Sequence, residues 1–463
     1  MKLNAAHSVA PAPDLADLAV RLEDAGCHGL YFAELAHDPF LAAAIAATGG
    51  TAMTLGTSIA LAFTRSPTTL AYTAQDLNAA TGGKFVLGLG PQVKTHIELA
   101  NCYAEEGNWT QADTHFEQAE TLTRNCSDLY LTIHAAKRRI HVNALHFRGD
   151  YGASIQRLNE LLALLDSEHD YSDPMRQEAD NLRLSLRMSL ALVATRYGDY
   201  ALSIRCGRQN LAWVDGLGHQ QQKIWILLDL ALSEQFAGLY PQAIAHNQEG
   251  LALAEAIGAA DDIGLLQANL CLTLRQSGEL EQGLSYGLKA VDILRTRGYS
   301  RMEGQARNRV GHTLAALGRW DEAYTAYTDA LQVWAPQRHS NRYEALAGHA
   351  LAAYRLGKTD DALAALAEVL DFLESQGLSG LSEPVLLLLN CATVLQDTGR
   401  SEPARQILQQ AADWVQTIAG RISDDTIRQT FLQQRADNQV LQARLAAAGG
   451  DIKSADRGLY GQA

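Results

Sequence analysis

Apolar positions follow two different rhythms along the chain. Between Leu3 and Leu89, short apolar runs at Leu3–Val9, Gly29–Ala33, Met53–Leu61 and Phe85–Leu89 read as strands. The segments between them, Asp14–Ala25, Pro39–Ala47 and Pro67–Ala80, repeat their apolar residues at the 3.6-residue period of amphipathic helices. Asp14 and Ser66–Pro67 suit helix starts, and Gly26 and Gly82–Gly83 suit helix stops. Strands alternating with helices of this size predict a parallel sheet joined by right-handed crossovers.

From Leu99 onward the strand rhythm is gone and one helical pattern recurs. A helix ends on a glycine, an aromatic residue follows in most copies, a small residue comes three positions later, and a second helix runs on. The turn glycines are Gly107, Gly149, Gly198, Gly238, Gly278, Gly318, Gly357 and Gly399, spaced 42, 49, 40, 40, 40, 39 and 42 residues apart. A fixed period of this length predicts a solenoid of stacked helix pairs. Each glycine supplies the left-handed turn between two antiparallel helices. Ala112, Ala243, Ala323, Ala362 and Ala404 are small where helix backbones approach, and Phe116, Tyr327 and Leu366 fill the next layer.

Composition narrows the partners. The chain has 463 residues, 47% of them apolar, enough for two or three domains with sizeable cores. A net charge of −14 disfavours nucleic acid and anionic membranes, which need clustered Lys and Arg. No apolar run has the length of a membrane span or the form of a signal peptide, so the expected location is the cytoplasm. Six cysteines, at 27, 102, 126, 206, 271 and 391, show no metal or redox spacing and read as small core residues. His134 and His141 align on one helix face but His146 does not, so no metal site is expected.

The stretches "GLYFAELAHDPFLAAAIAA" and "LGTSIALAFTRSPTTLAYTAQDLNAATGGKFVLGLGPQVKTHIE" resemble the N-terminal half of the luciferase-like monooxygenase family, in particular its coenzyme F420-dependent oxidoreductases. The resemblance covers residues 1–98 and implies a TIM barrel with flavin or deazaflavin at the strands' C-terminal ends. It places Glu34, His37 and Asp38 after strand two, among the family's cofactor and catalytic groups. Ser58 and Ile59 match a strand-three segment beneath the isoalloxazine ring, and Gly90, Gln92 and Lys94 match the loop after strand four. A full barrel needs about 250 residues. The resemblance stops after strand four, which leaves a half-barrel. Asp38 before Pro39 also reads as a plain helix N-cap.

The repeats resemble the tetratricopeptide family over residues 95–415, with a period closer to 40 than 34, as in bacterial signalling ATPases and transcriptional activators. The expected fold is α-dominated: a truncated α/β half-barrel over residues 1–98, a solenoid of about eight helix pairs over 99–420, and a capping helix and tail over 421–463. The first helix of each pair should line a groove for a protein or peptide partner, with Arg139, Asn143, Trp225, Arg275, Asn308, His312 and Tyr354 as candidates.

Three readings stay open. One is an interaction scaffold or sensor carrying an inactive half-barrel, with no cofactor. The second is an F420- or FMN-dependent oxidoreductase whose barrel another chain completes. The third is a chimeric sequence joined near residue 98. With strand four running almost directly into the first repeat, the repeat helices are expected to shield the open sheet.

Overall fold

The computed structural model describes residues 4–7, 15–32, 38–57, 60–61, 67–87, 89–90, 92–105, 108–124, 129–146, 148–167, 173–215, 219–335, 340–378 and 380–447. The chain divides into two compact units, Met1–Val142 and Asn143–Ala463.

The first unit begins with the predicted alternation: β1 (Asn4–His7), α1 (Leu15–Asp24), β2 (Gly29–Phe32), α2 (Pro39–Ala47), β3 (Thr54–Thr57), β4 (Ala60–Leu61), α3 (Pro67–Ala80), β5 (Phe85–Val86) and β6 (Leu89–Gly90). A four-stranded parallel sheet has the order β1-β2-β3-β5, and β4 and β6 form a parallel pair. Strand alternation assigns the two faces of the sheet. Leu30, Phe32, Leu55 and Phe85 are buried in one cluster with Leu15, Phe40 and Leu77 of the three helices. The opposite face carries Tyr31, Gly56 and Val86 in one register row. Gly56 has no room for a side chain, because a Cβ there would lie 2.6 Å from the Val86 carbonyl and 2.9 Å from the Tyr31 ring.

Helices α4 (Gln92–Glu105) and α5 (Trp109–Arg124) follow, and then α6 (Leu129–Leu145). Gln92 and Lys94 therefore stand in the first turn of a helix, not in a loop. Val93, Ile97, Ala100 and Ala104 are buried at helical spacing, which carries the helix back to the strand end. These residues form two clusters with α5 and α6, built around Phe116 and Ala119. Among the described residues the sheet's own cluster draws on α1–α3 and not on α4–α6, and Val86 stays 46% exposed, so the expected shielding is not met there.

Among the described residues the regular elements of the second unit are all helices: α7 (Tyr151–Ser167), α8 (Asp173–Tyr197), α9 (Tyr200–Val214), α10 (Gln220–Ala237), α11 (Tyr240–Ile257), α12 (Ala260–Ser277), α13 (Leu280–Thr296), α14 (Ser300–Ala316), α15 (Trp320–Trp334), α16 (Arg342–Arg355), α17 (Thr359–Gln376), α18 (Pro384–Asp397), α19 (Ser401–Arg421), α20 (Asp425–Gln434) and α21 (Ala436–Ala447). Consecutive helices pack as pairs α8 with α9, α10 with α11, α12 with α13, α14 with α15, α16 with α17 and α18 with α19, and in the first unit α4 packs on α5. Gly198, Gly238, Gly278, Gly318, Gly357 and Gly399 adopt φ between 72° and 102°. Five of them close their helix as a Schellman turn does, the Leu239 amide donating to the Glu234 carbonyl at 2.8 Å and the Glu279 amide to Leu274 at 2.8 Å, while Gly198 donates its own amide to the Ala194 carbonyl at 2.9 Å. Ala243, Ala323 and Ala362 are fully buried, as close helix approach requires.

The pairs coil back on themselves within this unit. First helices stack on first helices from α10 to α18, and the start of α18 returns to the end of α12, where Glu383 pairs with Arg275. Helices α20 and α21 then fold back over the turns of the earlier pairs, α20 against α9 and α10, α21 against α12, α18 and α19.

Candidate functional site

Of the positions nominated in the α/β segment, Glu34, His37, Ser58 and Ile59 lie outside the described residues. Gly90 ends β6, and Gln92 and Lys94 open α4. Asp38 caps α2, its Oδ1 accepting from the Phe40 amide at 2.8 Å and the Leu41 amide at 3.3 Å. That carboxylate serves the helix N-terminus, the local role its sequence also allowed.

The repeat candidates separate into surface and interior groups. Arg139 on α6 faces three carboxylates of α5: Asp113 at 3.9 Å, Glu117 at 3.7 Å and Glu120 at 3.2 Å. Asn143 is half-buried, and its carbonyl accepts from the Arg148 amide at 2.7 Å. Trp225 is 46% exposed, its Nε1 donating to Asp262 at 3.2 Å. Tyr354 donates its hydroxyl to the Asp397 carbonyl at 3.1 Å. Arg275, Asn308 and His312, read from sequence as groove residues, are 9%, 2% and 4% exposed. The return of α18 onto α12 closes the space that an open groove would leave at these positions.

Inside the coil the buried groups form a polar layer. Arg275 pairs with Glu383, Arg309 donates to Asn269 at 2.9 Å, and His312 shares a 2.8 Å hydrogen bond between Nδ1 and the Tyr327 hydroxyl. Glu344 accepts from the Ser382 and Glu383 amides at 2.5 Å and 2.6 Å. Burial, and then the Glu383 charge, push the Glu344 carboxyl up to about 8. Burial holds the His312 imidazole well below its ordinary range, so it stays neutral. Deeper toward α8, burial lowers Arg196 to about 10 and raises Asp229 to about 6, each opposed by the charge of the other.

The tail is fastened by side chains of the same kind. Gln276 donates to Asp437 at 2.7 Å, the Ala436 amide donates to the Tyr240 hydroxyl at 3.3 Å, and Arg421 donates to the Tyr197 carbonyl at 2.8 Å. Asp199 takes both the amide and the hydroxyl of Ser423, at 3.1 Å and 3.0 Å. Between tail and body lies a cavity of about 310 Å³. Its walls include Tyr200, Phe236, Trp414, Phe431, Arg421 and Arg435.

None of the tail's anchors was nominated from sequence. A signal for one side of it exists: polar residues recur two to four places before the turn glycines, as Thr195–Arg196, Glu234–Gln235 and Arg275–Gln276, in helices otherwise apolar there. Their partners had no such signal, since Glu383 lies 108 residues beyond Arg275 and Asp437 161 beyond Gln276.

Comparison with known proteins divides along the same lines. Residues 2–130 match the family described as luciferase-like monooxygenase, and residues 302–375 match the tetratricopeptide repeat. The first match runs past residue 98 across α4 and α5. An uncharacterized protein of Mycobacterium bovis and two of Mycobacterium tuberculosis are 46% identical over 83 residues, 18% of this chain and 24% of theirs. The chain thus spans about a quarter of the length of those curated relatives. Among solved structures, NprR in complex with its cognate peptide NprX is similar at 13% identity and a TM-score of 0.49, covering 77% of this chain and 97% of that one. A signal transduction ATPase with a tetratricopeptide repeat sensor, from Pyrococcus horikoshii, is similar at 12% identity and a TM-score of 0.47, over 80% of this chain and 53% of that one. The chain therefore joins a luciferase-like α/β segment to a tetratricopeptide-type helical solenoid.

Proposed function

We propose that the repeat unit carries the function, as an interaction module that docks a helical segment of a protein partner. The observation that supports this most directly is the tail. Helices α20 and α21 lie on the turns of α9, α10 and α12, α21 being held there by exchangeable hydrogen bonds to Tyr240 and Gln276, while Arg421 and Ser423 just before α20 bond Tyr197 and Asp199. Such a surface accepts a helix by apolar contact with polar anchors at its rim, a recurring mode of peptide recognition. The tail is then a self-docked occupant that a partner segment displaces. In this reading the α/β segment is a truncated, inactive barrel and the protein works in the cytoplasm.

A second reading is favoured by the parallel sheet and by the family match over residues 2–130. In it the segment binds flavin or F420 once another chain completes the barrel. Titration of the purified protein with flavin mononucleotide and with F420, followed by fluorescence, separates the two. The interaction reading expects no stoichiometric quenching with either, and stoichiometric binding by the chain alone would overturn the inactive segment.

A further inference from the structure

The cavity between tail and body has a composition that packing alone does not require. Three arginines, Arg196, Arg421 and Arg435, line it against one carboxylate, Asp150, whose Oδ1 already accepts from the Ala153 amide at 3.0 Å. Three further acids stand near, of which Asp229 opposes the charge of Arg196. Asp199 is occupied by Ser423 and the Leu202 amide, and Asp437 lies 3.6 Å from Arg435 while also accepting from Gln276.

Arg435 is 5% exposed, and its Nε has no acceptor among the described residues. A buried donor without an acceptor costs free energy that a bound acceptor recovers. The guanidinium sits 5.8 Å from the Phe236 ring centre and 5.9 Å from that of Phe431, so its planar fork is held between rings. Arg421 lies 4.7 Å over Tyr197. The remaining wall includes aromatic rings: Tyr200 packs 5.9 Å from Phe236 and 5.7 Å from Phe431, and Trp414 also lines the cavity.

The geometry points to a binding site for a small aromatic carboxylate, its carboxylate held by Arg435 and Arg421 and its ring laid against Tyr200 and Trp414. A guanidinium fork matches a planar carboxylate in two parallel hydrogen bonds, and aromatic walls favour an offset or edge-on ring. The volume, about 310 Å³, stands at the lower end of the roughly 300–1,000 Å³ typical of small-molecule sites, which fits one or two rings and excludes a peptide. This inference goes beyond the docking reading and does not need it, because the site is tested with the tail in place.

The test is calorimetric titration of the full chain with three probes: indole-3-acetate, its neutral amide indole-3-acetamide, and acetate. The expected result is saturable binding of indole-3-acetate, with the amide and acetate weaker by about ten-fold or more. Arg435→Gln is expected to weaken indole-3-acetate by a similar factor while leaving the weak amide unchanged. No binding of indole-3-acetate at millimolar concentration overturns the site. Equal binding of acid and amide overturns the role of the arginines, and equal binding of acetate overturns that of the rings. Should the variant fail to fold, the three-probe comparison on the unmodified chain still decides.

Discussion

Glu344 shows how one residue records the closing of the coil. Its carboxyl is pushed up to about 8 by burial and by Glu383, against an ordinary value of 4.5. A raised folded-state value means that the folded chain holds this proton more tightly than the unfolded one. The associated stability is complete below about pH 4.5 and is lost as pH rises through about 8, at about 1.4 kcal/mol per pH unit inside that window. Glu344→Gln keeps an acceptor for the Ser382 and Glu383 amides and removes the proton. Urea denaturation at about pH 5 and about pH 8 should show a loss of stability in the parent that the variant largely lacks. Equal losses in both would show that Glu344 does not titrate in this window. Asp229, raised to about 6, acts in the same direction in both proteins and cancels in the comparison.

At the scale of elements, the turns were the most legible part of the sequence and the tail the least. Gly198 and Gly278 look alike in sequence and share left-handed φ values of 102° and 92°. They differ in what surrounds them. A Cβ on Gly278 meets nothing within 4 Å, whereas one on Gly198 would lie 2.8 Å from Ile418 Cδ1 of α19. Gly278→Ala should therefore lose only the conformational term, about 1–2 kcal/mol, and Gly198→Ala about 1–3 kcal/mol more from overpacking. Equal losses in thermal or urea unfolding would show that α19 does not press on that turn. The contrast also marks what sequence carries. A turn is decided by residues within a few positions of its glycine, and so are the buried alanines one helical turn on. Contacts such as Ser423 with Asp199 or Asp437 with Gln276 depend on how many pairs the coil needs to return on itself, which no local window encodes. The nominated groove residues Arg275, Asn308 and His312 are buried for this reason, since an open solenoid was the simplest extrapolation of the repeat. In the α/β segment the parallel sheet and the helices between its strands followed from alternation, and the Asp38 cap from its place before Pro39.

For the whole molecule, two kinds of sequence meet within one chain and each brings its own core. The luciferase-like segment closes one face of its sheet with α1–α3, and the helical pairs of the second unit build a separate core around α16–α19, on which Phe431, Leu441 and Leu445 of the tail pack. No helix among the described residues is long and apolar enough to cross a membrane. The central claim is that the turn surface of the second unit is a docking site with its own tail as occupant. Titration of a labelled peptide spanning residues 425–447 into a chain ending at Asp424 tests this most directly. The predicted result is saturable binding to the shortened chain, with the peptide becoming helical, and no binding to the full chain, whose site is filled. A shortened chain that melts cooperatively but ignores the peptide would contradict the claim. So would one that no longer folds, since the tail would then be part of the core and not its occupant.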